Sequence, residues 1–288
     1  MNLYKQIVIV AFFYLTMSAV QAEQSISIEW SKSDAYYAGQ NRHYFYKPKT
    51  TSIYYSLGLN ESWSLGTFIW RSDATENLDT NQFRLDEHGS GAAININYLY
   101  GNWHASLGLS TSETNLDIRS PVSTAFYEEQ SETRDFNLSL AYLFSFDRFD
   151  ISPSFGLGSQ KFKQESNGVI PSVILSRDAE QTSTYAFADL VLSTGFELSQ
   201  ASIVQPSIQL GWTEALSGES SFTTRVISRG QPLRPNNSES NINTEASGYI
   251  SIALSLLIDD FQLRLSHSKT LALDINSETS ALEFGVFF

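Results

Sequence analysis

Apolar and polar side chains alternate along most of the sequence after residue 22, and this period of two predicts β-strands. The last segment shows the pattern clearly. Leu282, Phe284, Val286 and Phe288 fall on one face, whereas Glu283 falls on the other. A helical spacing of three and four with capping residues is not sustained anywhere, so the sequence predicts an all-β protein.

Twelve segments share this alternation, and their connections alternate strictly between short and long. The predicted strands lie near residues 24–32, 50–60, 63–71, 92–100, 103–111, 134–144, 149–158, 184–198, 202–212, 247–258, 261–268 and 280–288. The short turns fall at residues 60–62, 101–102, 145–148, 198–201 and 259–260, and polar loops such as 72–91 and 213–246 fill the remaining gaps.

Strands of about 9–11 residues have the length of a tilted membrane crossing. Short turns at one end and long loops at the other are typical of transmembrane β-barrels. The pattern therefore predicts an antiparallel up-and-down transmembrane barrel of about twelve strands over residues 23–288, with short periplasmic turns and long extracellular loops.

The five tryptophans lie near the predicted strand ends. Trp63 and Trp103 directly follow short turns, while Trp30, Trp70 and Trp212 lie beside long loops. Amphipathic rings at both rims are typical of the aromatic girdles of such barrels. The alternative is that they are core aromatics of a soluble β protein, which would leave the alternation of loop lengths unexplained.

The faces opposite the apolar ones are mostly small or polar, which is expected of a barrel lumen. Arg264 and Glu283 lie on neighbouring predicted strands, and Glu29 joins them if the last strand closes on the first. This charge cluster could filter ions, but mutual neutralisation in a tight interior is favoured. The aromatic and basic first loop, residues 36–49, could plug the lumen or lie exposed.

Residues 1–22 have the features of a secretory signal peptide. Lys5 precedes a short apolar run, and Ala22 precedes an expected cleavage site before Glu23.

There is no cysteine, which excludes thiol chemistry. The net charge of −13 argues against a nucleic-acid partner. Phosphate-binding loops, dinucleotide-binding motifs and cysteine–histidine metal sites are absent, so neither a cofactor nor a metal is expected.

Three histidines are candidates for catalysis. His104 and Ser106 have the spacing of lipid-hydrolysing barrels but are predicted to face the lumen, and His267 is predicted to face outward without a nucleophile two residues away on its own strand. His88 lies in a loop. The acidic set of that loop could bind divalent cations, although a solvated acidic loop is favoured; it comprises Asp73, Glu76, Asp79, Asp86 and Glu87. The sequence therefore predicts no enzyme.

The whole of residues 23–288 resembles the bacterial outer-membrane β-barrels, through the export signal, the twelve segments and the terminal strand. Among twelve-stranded barrels it is most similar to autotransporter translocator domains. The resemblance implies that Phe284, Val286 and Phe288 form the assembly signal. It also implies that the partners are outer-membrane lipids, lipopolysaccharide and the barrel-assembly machinery.

Only Glu23 separates the expected cleavage site from the first strand, so we expect a solitary barrel without a passenger. A passive narrow pore or a structural barrel is the favoured function. The alternatives are a surface adhesin that binds through its loops and, less favoured, an outer-leaflet lipid hydrolase.

Overall fold

The computed structural model describes residues 24–39, 42–78, 83–120, 123–147, 149–170, 173–199, 201–228, 231–232, 236–241, 246–271 and 277–288. The expected signal peptide, residues 1–22, lies outside these residues. All the regular elements in the described part are β-strands, and no helix there is long and apolar enough to cross a membrane.

Twelve long strands follow one another around a single sheet. They are β1 (Gln24–Gly39), β2 (Lys49–Gly58), β3 (Trp63–Leu78), β4 (Phe83–Tyr100), β5 (Trp103–Arg119), β6 (Phe126–Tyr142), β7 (Asp150–Ile170), β8 (Val173–Ser193), β9 (Ser202–Ser228), β10 (Ala246–Ile258), β11 (Phe261–Leu271) and β12 (Glu278–Phe287). Each pairs antiparallel with the next, and β1 pairs with β12 from Ser25↔Phe287 to Asp34↔Glu278. The all-β, twelve-stranded closed barrel is therefore confirmed.

The two ends of the barrel sequence are held together by reciprocal backbone hydrogen bonds. The amide of Gln24 donates to the carbonyl of Phe288 at 3.0 Å, and the amide of Phe288 donates back at 3.0 Å. The amide of Phe287 also donates to the carbonyl of Asp260 at 2.8 Å. Since closure leaves no unpaired strand edge, the backbone polar groups of the wall bond between strands rather than to lipid.

Three short strands are continuations of long ones that a proline interrupts. Residues 42–46 continue β2 and residues 144–145 continue β6 in unchanged register, and residues 196–199 continue β8 with a register shift between Glu197 and Ser199. The breaks lie at Pro48 or opposite Pro153 and Pro206, where a ring nitrogen cannot donate a ladder hydrogen bond. Pro206 still takes part in the ladder through its carbonyl, which accepts a hydrogen bond from the amide of Thr194 at 3.2 Å. The register does not shift at Pro153.

Most of the segments predicted as long loops are paired strand. β7 and β8 have 21 residues each and β9 has 27, about 70 and 90 Å at 3.3 Å a residue. The crossing itself needs only 9–11 residues. Residues 236–241 and 231–232 also pair with β9 beyond the start of β10. We call β4 to β9 the tall wall and β10, β11, β12, β1 and β2 the short wall.

Burial follows the alternation along each strand. On β10 the outward Ile252 and Leu254 are 53% and 48% exposed, whereas the inward Ser255 is 5% exposed. On β7 the outward face carries the apolar Phe155 and Leu157 and then changes to charged residues, while the pairing continues. Hence the apolar band of the outer face ends part of the way up the tall wall, and the inner face is polar throughout much of the barrel.

Candidate functional site: the inner face of the barrel

The predicted lumen charges lie side by side on the inner face. Glu283 of β12 is paired in register with Arg264 of β11 on one side and with Glu29 of β1 on the other. Glu29 and Glu283 are 6% and 5% exposed. Closure of β1 on β12 therefore brings together three charged residues that are far apart in the sequence. Their functional role stays a prediction.

A second acidic site on the inner face bridges three strands, and the sequence analysis did not identify it. The hydroxyl of Tyr249 on β10 donates to Asp189 on β8 at 2.6 Å, and Gln209 on β9 donates to that hydroxyl at 2.6 Å. Between them lies Gly211, where a methyl group would overlap the ring of Tyr249 and lie 2.6 Å from an Asp189 oxygen. The glycine thus provides the room for the tyrosine to reach two strands away.

The same arrangement occurs higher on the wall. The hydroxyl of Tyr185 on β8 donates to the two carboxylate oxygens of Asp135 on β6 at 2.9 and 2.7 Å, and its ring covers Gly158 on β7. Asn137 donates to the same carboxylate at 3.2 Å. Phe187 covers Gly156 in a similar way. Glycines on one inward face and aromatics on the next are visible in the sequence. Which aromatic covers which glycine can be told only from the strand register.

Acidic residues exceed basic ones on the inner face. Strand alternation places eight carboxylates inward on the twelve long strands, against the two guanidinium groups of Arg177 and Arg264. The carboxylates are those of Glu29, Glu76, Glu87, Glu129, Asp135, Asp150, Asp189 and Glu283. Several inward serines are nearly inaccessible, such as Ser52 at 2% and Ser152 at 4%. The wall is therefore acidic, and neighbouring side chains cover much of it.

The predicted girdle tryptophans do not all face the same way. Trp30, Trp63, Trp103 and Trp212 lie on the outward face and are 44–49% exposed. Trp70 requires a correction because it points inward, where it is paired with the buried Ser52 and its ring lies over Gly89 and Gly91. Phe68, Ile69 and Trp70 are all apolar, so the alternation in the sequence did not show that Trp70 points inward.

The residues of the predicted assembly signal lie on the outward face of β12 and directly after its end. Phe284 faces outward at 43% exposure, and Val286 lies on the same face, paired with Ile26 and Phe261. Phe288 is 63% exposed at the end of the chain. Their role as an assembly signal stays a prediction.

The lumen-facing histidine is poorly placed for catalysis on lipid. His104 lies on the inner face of β5 with Ser106, which is 5% exposed. Both therefore face away from the bilayer.

His267 does have a nucleophile beside it, on the neighbouring strand rather than on its own, so the pattern along a single strand did not reveal it. Its Nδ1 lies 3.0 Å from the hydroxyl of Ser280 on β12. Among the described residues no carboxylate or amide orients the other ring nitrogen, and the neighbouring backbone amides are used in the sheet. This pair lacks the orienting group and oxyanion donors of a triad.

The acidic residues of the predicted second loop lie on β3 and β4 and divide between the two faces. Asp73 and Asp86 point outward, Glu76 and Glu87 point inward, and Asp79 lies outside the described residues. No group of three potential ligands for a metal ion occurs in the described part of the chain. Hydrogen bonds from Arg71 and then His88 hold the pKa of Asp73 below its ordinary value, so this carboxylate is part of a surface ion-pair network.

Comparisons with known proteins agree with the geometry. A family model described as the autotransporter β-domain matches residues 30–262. The fold is similar to that of the translocator domain of the autotransporter NalP from Neisseria meningitidis, with a TM-score of 0.67, 10% identity and coverage of 93% of this chain and 90% of that one. The β-domain of the Bordetella autotransporter BrkA gives a TM-score of 0.57, 11% identity and coverage of 92% and 98%. A search of curated proteins found no match.

Proposed function

This chain belongs to the autotransporter β-domain family, and we propose that its barrel acts as a narrow, passive, cation-preferring pore. Barrels of this family reside in the bacterial outer membrane. The proposal includes the expected export signal in residues 1–22 and recognition of Phe284, Val286 and Phe288 by the assembly machinery.

The observation that carries the proposal is the acidic inner wall. On the twelve long strands eight inward carboxylates stand against two inward guanidinium groups. A wall with excess carboxylates attracts cations and repels anions, as rings of Asp and Glu do in cation channels. Buried inward serines support a narrow path rather than a wide one. Because nothing in this arrangement requires movement or chemistry, the pore is passive.

The test is the current through single barrels in planar bilayers under a gradient of KCl. We expect a small, steady conductance with a reversal potential that shows cation preference. Glu29→Gln should lower the cation-to-anion permeability ratio by up to about fivefold, since a unit charge 4 Å from an ion contributes about 1 kcal/mol in water. Glu165→Gln removes a carboxylate from the outer face and should leave the ratio unchanged.

Anion preference, or equal effects of the two substitutions, would contradict a pathway along the acidic wall. A sealed bilayer would instead support the alternative, a structural barrel whose tall wall binds at the cell surface.

A further inference from the structure

An apolar groove runs across the outward face of the short wall. Its volume is about 840 Å³, and it extends from β2 across the β1–β12 closure to β10 and β9. Trp30, Leu254, Leu265 and Leu282 supply much of its lining. Since this face of the barrel meets lipid, a groove of apolar side chains suits an acyl chain.

Two lysines lie at the outer end of this groove. Along β1 the outward residues run Ile28, Trp30 and then Lys32, so Lys32 lies one step above the aromatic rim. Lys49 of β2 is paired directly with Lys32, and both line the groove and are exposed. Like charges directly opposite each other on neighbouring strands repel, so this pair is unfavourable by itself.

The described residues include no ion-pair partner for these two lysines. Asp34, the next outward residue on β1, lies 4.0 Å from Lys47. Asp73 of β3 is paired with Lys49 of β2. Its carboxylate accepts a hydrogen bond from Arg71 at 3.1 Å and lies 2.7 Å from Nδ1 of His88.

Other lysines on the outward face differ in this respect. Lys161 forms an ion pair with Glu180, and Lys269 lies 2.9 Å from Glu278. His267 and Ser280 also line the groove near this end. The mouth therefore combines two lysines that form no ion pair among the described residues with an apolar floor.

We infer that this groove is a binding site for a phosphorylated glycolipid of the outer leaflet, namely lipopolysaccharide. One acyl chain lies along the floor beside Leu254 and Leu265, and a phosphate lies between Lys32 and Lys49. The phosphate cancels the repulsion between the two lysines, which explains why they occupy paired positions. His267 and Ser280 contact the polar headgroup. The site lies on the outer wall and is independent of whether the lumen conducts.

The test measures lipid retained by the purified, refolded barrel by native mass spectrometry. The probes are deep-rough lipopolysaccharide, phosphatidylglycerol and phosphatidylcholine. We expect one lipopolysaccharide per barrel, bound more tightly than either phospholipid. The double variant K32Q/K49Q should bind it about thirtyfold more weakly, because each basic residue near an anionic surface contributes about 1 kcal/mol. K32R/K49R keeps the charges and should keep the binding.

The matched control is K161Q/K163Q, which removes two outward lysines that already have acidic neighbours. It should change the affinity by less than about twofold, since both lysines lie on β7, away from the groove. Heat-modifiable mobility on a gel verifies that each variant is a folded barrel. Equal weakening by both double variants, or none by K32Q/K49Q, would overturn the site. Equal affinity for phosphatidylglycerol would overturn its assignment to a glycolipid.

Discussion

The short and tall walls are built on the same backbone ladder but differ in what lies outside them. On β10 the outward residues from Ile250 to Ile258 are apolar along nearly the whole strand. On β7 the outward residues change from Leu157 to Lys161 and Lys163 while the pairing with β8 continues to Ile170. The difference teaches that strand pairing and membrane contact are separate properties, and that only the second requires an apolar face.

The walls also differ on the inside. Inward aromatics over glycines are concentrated in the tall wall, where Tyr185 and Phe187 cover Gly158 and Gly156. On the short wall Gly285 has only ordinary contacts, the nearest to the β-carbon of Ser27 at 3.5 Å. Interlocking rings fill much of the inside of the tall wall, whereas the short wall, apart from rings such as that of Tyr249, carries mainly small and charged side chains.

The largest expected effect separates the walls by their lipid contact. Leu254→Arg places a charge in the middle of the apolar outward row of β10, where it should cost about 2–4 kcal/mol of unfolding free energy. Ser221→Arg, on the outward face of β9 opposite Glu180, should change it by less than about 0.5 kcal/mol. Unfolding by urea in lipid vesicles, followed by tryptophan fluorescence, measures both. Comparable losses would mean that the upper part of β9 also contacts lipid.

A smaller effect is expected from the inner face. At Gly211→Ala the new methyl group overlaps the ring of Tyr249 and displaces it from Asp189, which should cost about 1–3 kcal/mol. At Gly285→Ala the methyl group meets nothing closer than 3.5 Å, so stability should change by less than about 0.5 kcal/mol. The same urea titration measures the unfolding free energy of both variants. If the two alanines were equivalent, the ring would not be fixed over Gly211.

Three strands of the short wall, β10 to β12, could be predicted from the sequence with good boundaries. They were expected at residues 247–258, 261–268 and 280–288, and they lie at Ala246–Ile258, Phe261–Leu271 and Glu278–Phe287. The alternation there contrasts apolar with polar side chains along the whole strand. The closure of β12 on β1 followed from the same pattern, which is why Glu29, Arg264 and Glu283 were grouped correctly on one face.

The tall wall was predicted only as far as its apolar band. β9 was expected at residues 202–212 but continues to Ser228. Above the band of β7 both faces carry polar residues, as with the outward Lys163 and the inward Gln164, so the period of two carries little contrast there. The bridge from Tyr249 to Asp189 was missed for another reason, since it joins strands that are not neighbours and depends on Gly211 between them.

The smallest expected effect concerns the charged outward face, where the network of Arg71, Asp73 and His88 begins. Hydrogen bonds lower the pKa of Asp73 in the folded protein from its ordinary value of 3.8, so folding favours its ionised form. Its contribution to stability is complete above that ordinary pKa and is lost as the pH falls through the lowered folded value. Because the carboxylate is half exposed, Asp73→Asn should cost only about 0.2–1 kcal/mol at neutral pH in low salt.

Urea titrations of Asp73→Asn and the parent at pH 7 and pH 3 measure this contribution, and the difference between the two proteins should shrink at the lower pH and in 1 M salt. Glu165→Gln, an outward carboxylate of the tall wall, is the control and should show little difference at either pH. A loss for Asp73→Asn that persisted in high salt would mean that this aspartate is held by packing rather than by charge. The outward face above the apolar band would then resemble the interlocked interior more than a solvated surface.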